Sequence, residues 1–503
     1  MCPLPPMKSI ALAVALYCST TSAFAATSEA DLARLLEQLK TRVDRLEQRN
    51  ADLERELANS RAQKSADQTP PAREIEQRVQ ALELNQTRVS QGLERDTISE
   101  SEPDLSARLK AVEAQAQSMQ SAARKIDGLD GVSAGLSLTT VAQKPFGTNF
   151  RNSQLNYRAD AFVNLPLGNV GDIEQKVFAQ LRLGQGAGLS DLPAYSNANS
   201  SAFQMQDGLR PDDSVALLAQ AWYQASIPLP LGGFKPRSKQ TLELNFGKMD
   251  PFLFFDQNAV AGDETRQFLN SVFVHNPLLD AGGDIGTDAN GFAPGMRVSY
   301  YDFSDKLETW RLSAGIFGVG EKGSNYQNSL SAPLLMLQAE SEQRLFGGLL
   351  GNYRIYAWSN PQSTSFGNPE GGSERHSGWG ISADQRIGDG LTLFARYGRQ
   401  VQGNVHFDQA LTLGTEVNGS YWKRGGDSLG LAAGLLKTSQ EYRDFSAATT
   451  PASGTERVWE LYYRFRINKQ FELSPNIQYI GNPAGDGSAE AIKILGLRAQ
   501  LTY

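Results

Sequence analysis

Apolar and polar residues alternate along the last ten residues of the chain, 494–503. Leu495, Leu497 and Leu501 share one parity, and Arg498 and Gln500 share the other. Successive side chains of a β-strand point to opposite faces. The segment therefore predicts a strand with one apolar face and one polar face.

The same period-two pattern recurs through the C-terminal part of the chain, and its polar face repeatedly carries arginine. It covers residues 157–164, 177–183, 219–226, 296–301, 310–314, 349–358, 391–398, 459–467 and 471–479. A soluble β-sandwich would tolerate such alternation. A transmembrane barrel alternates in the same way, with lipid outside and a polar lumen inside. The number of segments and their aromatic ends favour the barrel.

A different period governs the N-terminal part. Leucine and valine recur there in steps of three and four residues, which is the heptad pattern of a coiled coil. The seam residues predicted to hold helices together are Leu36, Leu39, Val43, Leu46, Asn50, Leu53 and Leu57. Asn50 at a core position lowers stability but sets the register. The alternative is a single amphipathic helix lying on another domain.

Proline and composition divide the chain. Pro70 and Pro71 interrupt the heptads, and the composition changes from Ala- and Glu-rich to Gly- and aromatic-rich near residue 128. We therefore predict a coiled-coil stalk over residues 26–127 and a barrel over residues 128–503. The latter length suits roughly 16 strands of about ten residues each, with an aqueous channel.

The first 25 residues have the features of a secretory signal peptide. Lys8 precedes the apolar run 10–17, and Ala23 and Ala25 form a small-x-small cleavage site. A lipoprotein anchored at Cys18 is the alternative. With a barrel downstream, the leader predicts the outer membrane of a diderm bacterium, with the stalk in the periplasm.

Composition removes several kinds of chemistry. Cys2 and Cys18 both lie in the leader, which leaves the mature chain without a thiol. The net charge of −7 argues against nucleic acid as a partner. The three histidines are far apart in sequence, so we expect no catalytic residues, no metal and no cofactor. A barrel enzyme and an envelope tether remain the alternative hypotheses for a function other than transport.

Several stretches of the barrel region resemble the carbohydrate-selective porin family of the OprB type. They are Phe246–Phe252 (FGKMDPF), Phe255–Asn258, Asp263–Asn270, His275–Pro277, Gly291–Arg297, Arg466–Lys469, Leu473–Ile480 and Asn482–Pro483. The resemblance covers about residues 130 to 503. The chain departs from simpler members in its N-terminal coiled coil and in ending on Tyr503 instead of phenylalanine.

This resemblance implies an all-β transmembrane barrel of about 16 antiparallel strands that passes small sugars by passive diffusion. It also implies a pore narrowed by inward loops and lined by charged and aromatic side chains. We expect Asp256, Asp263, Glu264 and Arg266 to form a loop network inside or beside the barrel mouth. Because porins are commonly trimers, we expect the stalk to join three barrels, although Asn50 would also suit a dimer.

Side chains on the polar parity are the candidates for lining the pore. They are Arg182, Trp222, Arg297, Arg311, Arg354, Trp358, Phe394, Arg396, Glu460, Arg464, Arg466 and Arg498. Such an arginine-rich lumen could equally favour anions such as phosphate, or the chain could be a general diffusion porin. The partners expected are thus sugars, outer-membrane lipid and a homotrimer, with peptidoglycan contact by the stalk left open.

Overall fold

The computed structural model describes residues 124–125, 132–147, 153–203, 214–231, 238–279, 291–305, 307–318, 331–448 and 452–503. The predicted signal peptide and the heptads between Leu36 and Leu57 lie outside the described residues. The coiled coil therefore stays a prediction.

Sixteen long strands make up most of the described residues. A two-residue strand, β1 (Arg124–Lys125), precedes them and pairs with the start of β2. The sixteen are β2 Ser133–Phe146, β3 Gln154–Val170, β4 Ile173–Gln185, β5 Val215–Leu229, β6 Gln240–Met249, β7 Ala293–Asp302, β8 Glu308–Phe317, β9 Leu334–Leu345, β10 Leu349–Ser365, β11 Asn368–Gly388, β12 Leu391–Gln402, β13 Phe407–Asn418, β14 Ser428–Thr438, β15 Thr455–Arg466, β16 Phe471–Gly481 and β17 Ile492–Thr502.

Each of these strands pairs antiparallel with its neighbours in the chain, and β17 pairs with β2. At the seam, the backbone N–H of Tyr503 donates to the Leu136 carbonyl at 2.8 Å, and Leu136 donates back at 2.9 Å. The sheet therefore closes on itself and leaves no free edge among β2–β17. The predicted 16-stranded barrel is confirmed.

The apolar parity faces outward. In β17, Leu495, Leu497 and Leu501 are each about half exposed, whereas Arg498 and Gln500 are at most 3% exposed. This inverts the usual distribution in soluble proteins and is the pattern of a barrel whose outer wall meets lipid. Among the described residues, no helix has the length and hydropathy needed to cross a membrane.

The parity slips in β5, where it pairs with β4. The register shifts between Gln180 and Leu181, as a bulge requires. As a result Leu218 is exposed and Ala219 is fully buried, although the alternation places Ala219 on the outer face. The expected orientation of Ala219 is therefore wrong, because the extra residue of a bulge reverses the faces beyond it.

The two ends of the barrel differ. At the short-turn end, β3 and β4 are joined by residues 171–172, and β11 and β12 by residues 389–390. At the long-loop end, the described parts of the connections after β4 and β6 turn inward. We call their described parts, residues 186–203 and 250–279, the first and second inner segments.

Candidate functional site in the barrel lumen

The second inner segment lies inside the barrel, because side chains from strands all around the wall hold it. Arg396 of β12 donates from Nε to Asp256 Oδ1 at 3.0 Å and from a terminal nitrogen to the Phe273 carbonyl at 2.7 Å. Gly398 of the same strand makes room, since a Cβ there would lie 2.4 Å from the side-chain oxygen of Asn276.

Strands β15 and β17 hold the same segment by its backbone. The Glu460 carboxylate of β15 accepts from the N–H groups of Leu269 and Asn270 at 2.7 and 2.8 Å. Arg498 of β17 donates to the carbonyls of Glu264 and Gln267 at 2.9 and 2.8 Å. These charged side chains thus satisfy backbone groups of irregular structure that would otherwise be buried without partners.

Local sequence shapes the segment. Asp250 accepts from the N–H of Phe252 at 2.9 Å and begins a 3₁₀ turn at Pro251. Asn270 accepts from the N–H of Val272 at 3.1 Å and caps the short helix α1, Ser271–Val274. Asp and Asn are favoured at such positions because their oxygens satisfy free N–H groups.

The first inner segment is held by one carboxylate. Glu456 of β15 accepts from the N–H groups of Tyr195 at 2.8 Å, Ser196 at 2.9 Å and Ala484 at 2.8 Å. Farther along the segment, the Ala198 carbonyl accepts from two glutamine side chains of the wall, at 2.9 and 3.0 Å. Both segments therefore narrow the lumen as fixed parts of the barrel.

A row of aromatic rings runs along the lumen wall from β3 to the second inner segment. The ring centre of Phe178 lies 6.2 Å from that of Phe162 and 5.0 Å from that of Trp222, and both pairs are stacked. Phe254 meets Trp222 edge to face at 5.8 Å. Gly247 lets β6 approach this row, because its φ is +135° and a Cβ there would lie 2.7 Å from Trp222 Cα. We call these four rings the aromatic row.

Cations lie over the faces of the aromatic row. The Arg297 guanidinium is 4.6 Å from the centre of Phe254, and the Lys176 ammonium is 5.8 Å from Trp222. Arg297 also donates to Asn245 at 2.7 Å and to the Tyr301 hydroxyl at 2.9 Å. The row therefore combines flat apolar faces with hydrogen-bonding groups at its edge.

A chain of ion pairs continues along β8 to β11. Arg311 pairs with Glu340 and donates to Gln257 Oε1 at 2.7 Å. Arg354 reaches Glu340 at 3.1 Å and Asp384 at 2.8 Å. Their side chains are at most 16% exposed, so this wall of the lumen is ordered by charge-assisted bonds.

A second group of ion pairs lies on β3 and β4. Asp160 binds Arg158 at 3.0 Å and Arg182 at 2.7 Å, and Arg158 reaches Glu264 of the second inner segment at 2.7 Å. Arg182 also lies 5.0 Å from the Phe292 ring. Nearby, Arg266 forms two bonds to Glu472 of β16 at 3.0 and 2.6 Å.

Burial and neighbouring charges shift the pKa values of the ionisable groups in the second inner segment. Burial raises the pKa of Asp263, and the adjacent Glu264 carboxylate raises it further. Burial acts in the same sense on Glu264, but Arg158 and Arg182 outweigh it and lower the pKa of Glu264. Burial and then Arg396 lower the pKa of His275 to about 3, so that His275 is neutral at ordinary pH.

The structure separates the twelve candidate residues into groups. Three of them hold the second inner segment: Arg396, Glu460 and Arg498. Four arginines form ion pairs, namely Arg182, Arg297, Arg311 and Arg354. Trp222 belongs to the aromatic row. Phe394 packs 5.6 Å from Phe268, and Trp358 is buried beside Tyr356. Arg464 is half-buried on β15. Arg466 lies apart at the short-turn end, where its N–H donates to Asp427 at 3.0 Å.

Sequence reasoning did not single out several members of these groups. Phe162 and Phe178 share the lumen parity with Arg158 and Arg182, so an aromatic residue on a polar strand face was the available signal. Phe254 and Glu340 had no comparable signal, because their roles depend on partners from other strands. Glu264 and Arg266 were expected in a loop network, and both pair with the barrel wall.

A closed 16-stranded antiparallel barrel with an apolar outer wall, a charged lumen and inward segments defines the porin class of outer-membrane proteins. The chain belongs to the family described as carbohydrate-selective porin, OprB family, whose match covers residues 115–503. The match leaves out most of the N-terminal heptads.

Two relatives illustrate the relationship. Porin B of Pseudomonas aeruginosa is 24% identical over 288 residues, which is 50% of this chain and 60% of that protein. The chain thus matches less than two thirds of this curated relative's length. The high-pH structure of Pseudomonas putida OprB superposes with a TM-score of 0.59 at 16% identity, covering 74% of this chain and 94% of that chain. At that identity the likeness shows the fold alone.

Proposed function

We propose that this protein is a passive channel for small neutral sugars across the outer membrane. The family supports a carbohydrate solute, and the aromatic row is the observation that carries the proposal. A pyranose has flat C–H faces and a ring of hydroxyls, so it is bound by aromatic faces with donors and acceptors beside them. Weak contacts of this kind also allow release, which conduction requires.

The charge balance of the lumen favours a neutral solute over an anion. Five of the arginines among the pore-lining candidates have a carboxylate partner: Arg182 with Asp160, Arg297 with Glu243, Arg311 with Glu340, Arg354 with Asp384, and Arg396 with Asp256. An anion would have to compete with these fixed carboxylates. Lys176 and Arg464 are the cations that support an anion-selective or phosphate channel as the second candidate, with a general diffusion pore as the third.

The twelve pore-lining candidates acquire different proposed roles. We assign solute contact to Trp222 of the aromatic row and to Arg311 at its polar edge, and we assign the fully buried Arg297 to positioning Phe254. We assign Arg396, Glu460 and Arg498 to positioning the second inner segment, and so to setting the width of the pore. Removal of a positioning residue is expected to change conductance even where no contact to solute is lost.

The proposal extends to the N-terminal region. The heptads favour a coiled coil over residues 26–127 that joins three barrels, with Leu36, Leu39, Val43, Leu46, Asn50, Leu53 and Leu57 at the seam. A signal peptide at 1–25 and a stalk on the periplasmic side follow from the order of leader, stalk and barrel. A stalk in that compartment would also be able to contact peptidoglycan.

Planar-bilayer conductance of the purified protein tests the function. Glucose is titrated as a blocker of the salt current, and phosphate is titrated in a matched series. Block by glucose with weak anion preference supports the sugar channel. Block by phosphate, or strong anion selectivity, transfers the assignment to an anion porin. Absence of any conductance removes the channel proposal and restores the enzyme and tether alternatives.

A further inference from the structure

The long-loop end carries an aromatic cluster that the lumen does not account for. It consists of Tyr195, Phe366, His406, Tyr442 and Phe445, which we call the mouth cluster. The ring centre of Tyr442 lies 4.5 Å from that of His406 and 5.0 Å from that of Phe366. The ring centres of Phe366 and Phe445 are 5.2 Å apart. Tyr195 lies 6.1 Å from His406. The rings therefore form one continuous contact chain.

Four separate parts of the long-loop end build the cluster. Tyr195 belongs to the first inner segment, Phe366 to the tip between β10 and β11, and His406 to the connection before β13. Tyr442 and Phe445 lie on the short helix α2, Gln440–Ser446, at a spacing of three that places them on one face. Assembly from so many elements means that the rings are held in fixed relative positions.

The inner end of the cluster is joined to the lumen. Tyr195 packs 5.3 Å from Phe407 of β13, and its hydroxyl lies 3.1 Å from Thr438 Oγ1 of β14. Its backbone N–H is one of those bound by Glu456. Because Tyr195 belongs to the segment that narrows the lumen, the cluster has one end at the pore entrance.

The outer end of the cluster is open to its surroundings. Phe445 is 59% exposed, although an aromatic ring gains most when it is buried. Tyr442, His406 and Phe366 are partly exposed. Within the part of the chain that the structure describes, neither the His406 imidazole nor the Tyr442 hydroxyl makes a hydrogen bond to protein. Apolar faces and polar groups without protein partners are therefore presented side by side.

From this arrangement we propose that the mouth cluster is an entry site for pyranose rings, which stack on Phe445 and Tyr442 and hydrogen-bond to His406 before they enter the lumen. The inference rests on the proposed sugar channel. The helix carries Glu441 and Asp444 against one cation, Arg443, so its charge does not attract anions. Burial lowers the pKa of His406, which keeps the imidazole neutral and able both to donate and to accept.

The site is expected to act on the rate of capture. A sugar held at the mouth reaches the lumen more often, so the site raises the on-rate from the long-loop side. Detailed balance then requires that escape toward that side be equally accelerated, so the affinity of the lumen for sugar does not change. Entry from the short-turn side is independent of the cluster.

The test is the analysis of glucose-induced current fluctuations in single channels of the full chain, with glucose added to one side at a time. Phe445→Ala is compared with Tyr421→Ala, whose ring is equally exposed, 59%, but lies at the short-turn end. We expect Phe445→Ala to lower the on-rate from the long-loop side by about three- to fivefold, as loss of one ring contact implies. The equilibrium constant and the salt conductance should be unchanged.

The outcomes separate the two proposals. If glucose does not block the unaltered protein, the sugar channel itself fails. If glucose blocks it but Phe445→Ala keeps the on-rate on both sides, the mouth cluster is a packing or lipid-contact feature and the entry site is overturned. An equal fall on both sides also overturns it, because it would indicate a changed lumen. His406→Ala, which leaves Phe445 in place, should show a smaller fall on the same side only.

Discussion

Arg396 of the barrel wall and Asp256 of the second inner segment form an ion pair, with Nε 3.0 Å from Oδ1 and both side chains at most 1% exposed. Asp256 adopts a left-handed backbone conformation, with φ of +53°. Its other carboxylate oxygen accepts from the N–H of Asn276 at 2.5 Å. The pair thus joins the wall, the beginning of the second inner segment and its end, which explains how irregular chain keeps one position inside a barrel.

Loss of this pair should loosen the constriction. For Arg396→Ala we expect a larger and noisier single-channel conductance and a loss of about 3–5 kcal/mol in unfolding free energy, because Asp256 is left buried without its charge partner. Arg386→Ala removes an arginine whose pair with Asp389 spans 3.9 Å at the short-turn end, and it should change neither quantity. Unaltered conductance in Arg396→Ala would show that the segment does not narrow the pore.

The aromatic row should control affinity for sugar. Trp222→Ala is expected to weaken glucose block about tenfold, since one stacked ring contributes about 1 kcal/mol or somewhat more. Trp459→Ala is the matched control, because that ring is 49% exposed on the outer wall. The affinity for glucose is measured in both variants by titrating glucose as a blocker of the current. Equal affinities in the two variants would mean that sugar does not contact the row.

His275 should make the barrel sensitive to acid. Its pKa is about 3 in the folded protein against a usual value of 6.5, so between these values the unfolded chain binds the extra proton. Stability contributed by the neutral ring is therefore complete above about pH 6.5 and is lost as the pH falls toward 3. Thermal unfolding across this range measures the loss.

A conservative variant isolates this effect from the many carboxylates. His275 stacks on Phe252 with ring centres 4.2 Å apart, and His275→Phe retains that contact without a titrating group. We expect its melting temperature to fall less steeply below pH 6.5 than that of the unaltered protein. Parallel curves for the two proteins would mean that His275 gains its proton without unfolding.

Glu456 should govern the first inner segment. Glu456→Ala leaves three backbone N–H groups without an acceptor, at about 1–3 kcal/mol each. We expect faster proteolysis within residues 186–203. The cleavage sites are identified by mass spectrometry of the fragments. Glu490→Ala, an exposed carboxylate in the last long loop, is the control and should be cleaved at the original rate. Equal proteolysis rates in the two variants would mean that contacts other than those of Glu456 hold the segment.

The alternation of β17 was enough to predict which residues meet lipid, because period two is a local property of a strand. The bulge that buries Ala219 was not predictable, since one extra residue leaves no mark in the pattern. Arg396 was placed on the lumen face, but its partner lies 140 residues away in the chain. Parity determines the face, whereas pairing depends on how the inner segments cross the barrel, and this is set by the whole fold.

The heptads predict that oligomerisation can be separated from conduction. Deletion of residues 28–126 should reduce the heat-resistant oligomer on a native gel yet leave the conductance of each barrel unchanged. The reason is that the predicted seam residues lie in the proposed stalk, whereas the barrel wall is built from β2–β17. Heat-resistant oligomers that survive the deletion would contradict the role of the stalk.

A point variant sharpens this experiment. Leu46→Glu introduces a charge at a core heptad position, while Gln48→Glu introduces the same charge at an outer position of the same heptad. We expect only Leu46→Glu to weaken the oligomer, and the number of subunits before and after is read by native mass spectrometry. Three copies falling to one would establish a trimeric stalk, and two falling to one would establish the dimer that Asn50 also allows. If neither variant weakens the oligomer, the helix does not join subunits and the alternative of a single amphipathic helix on another surface is favoured.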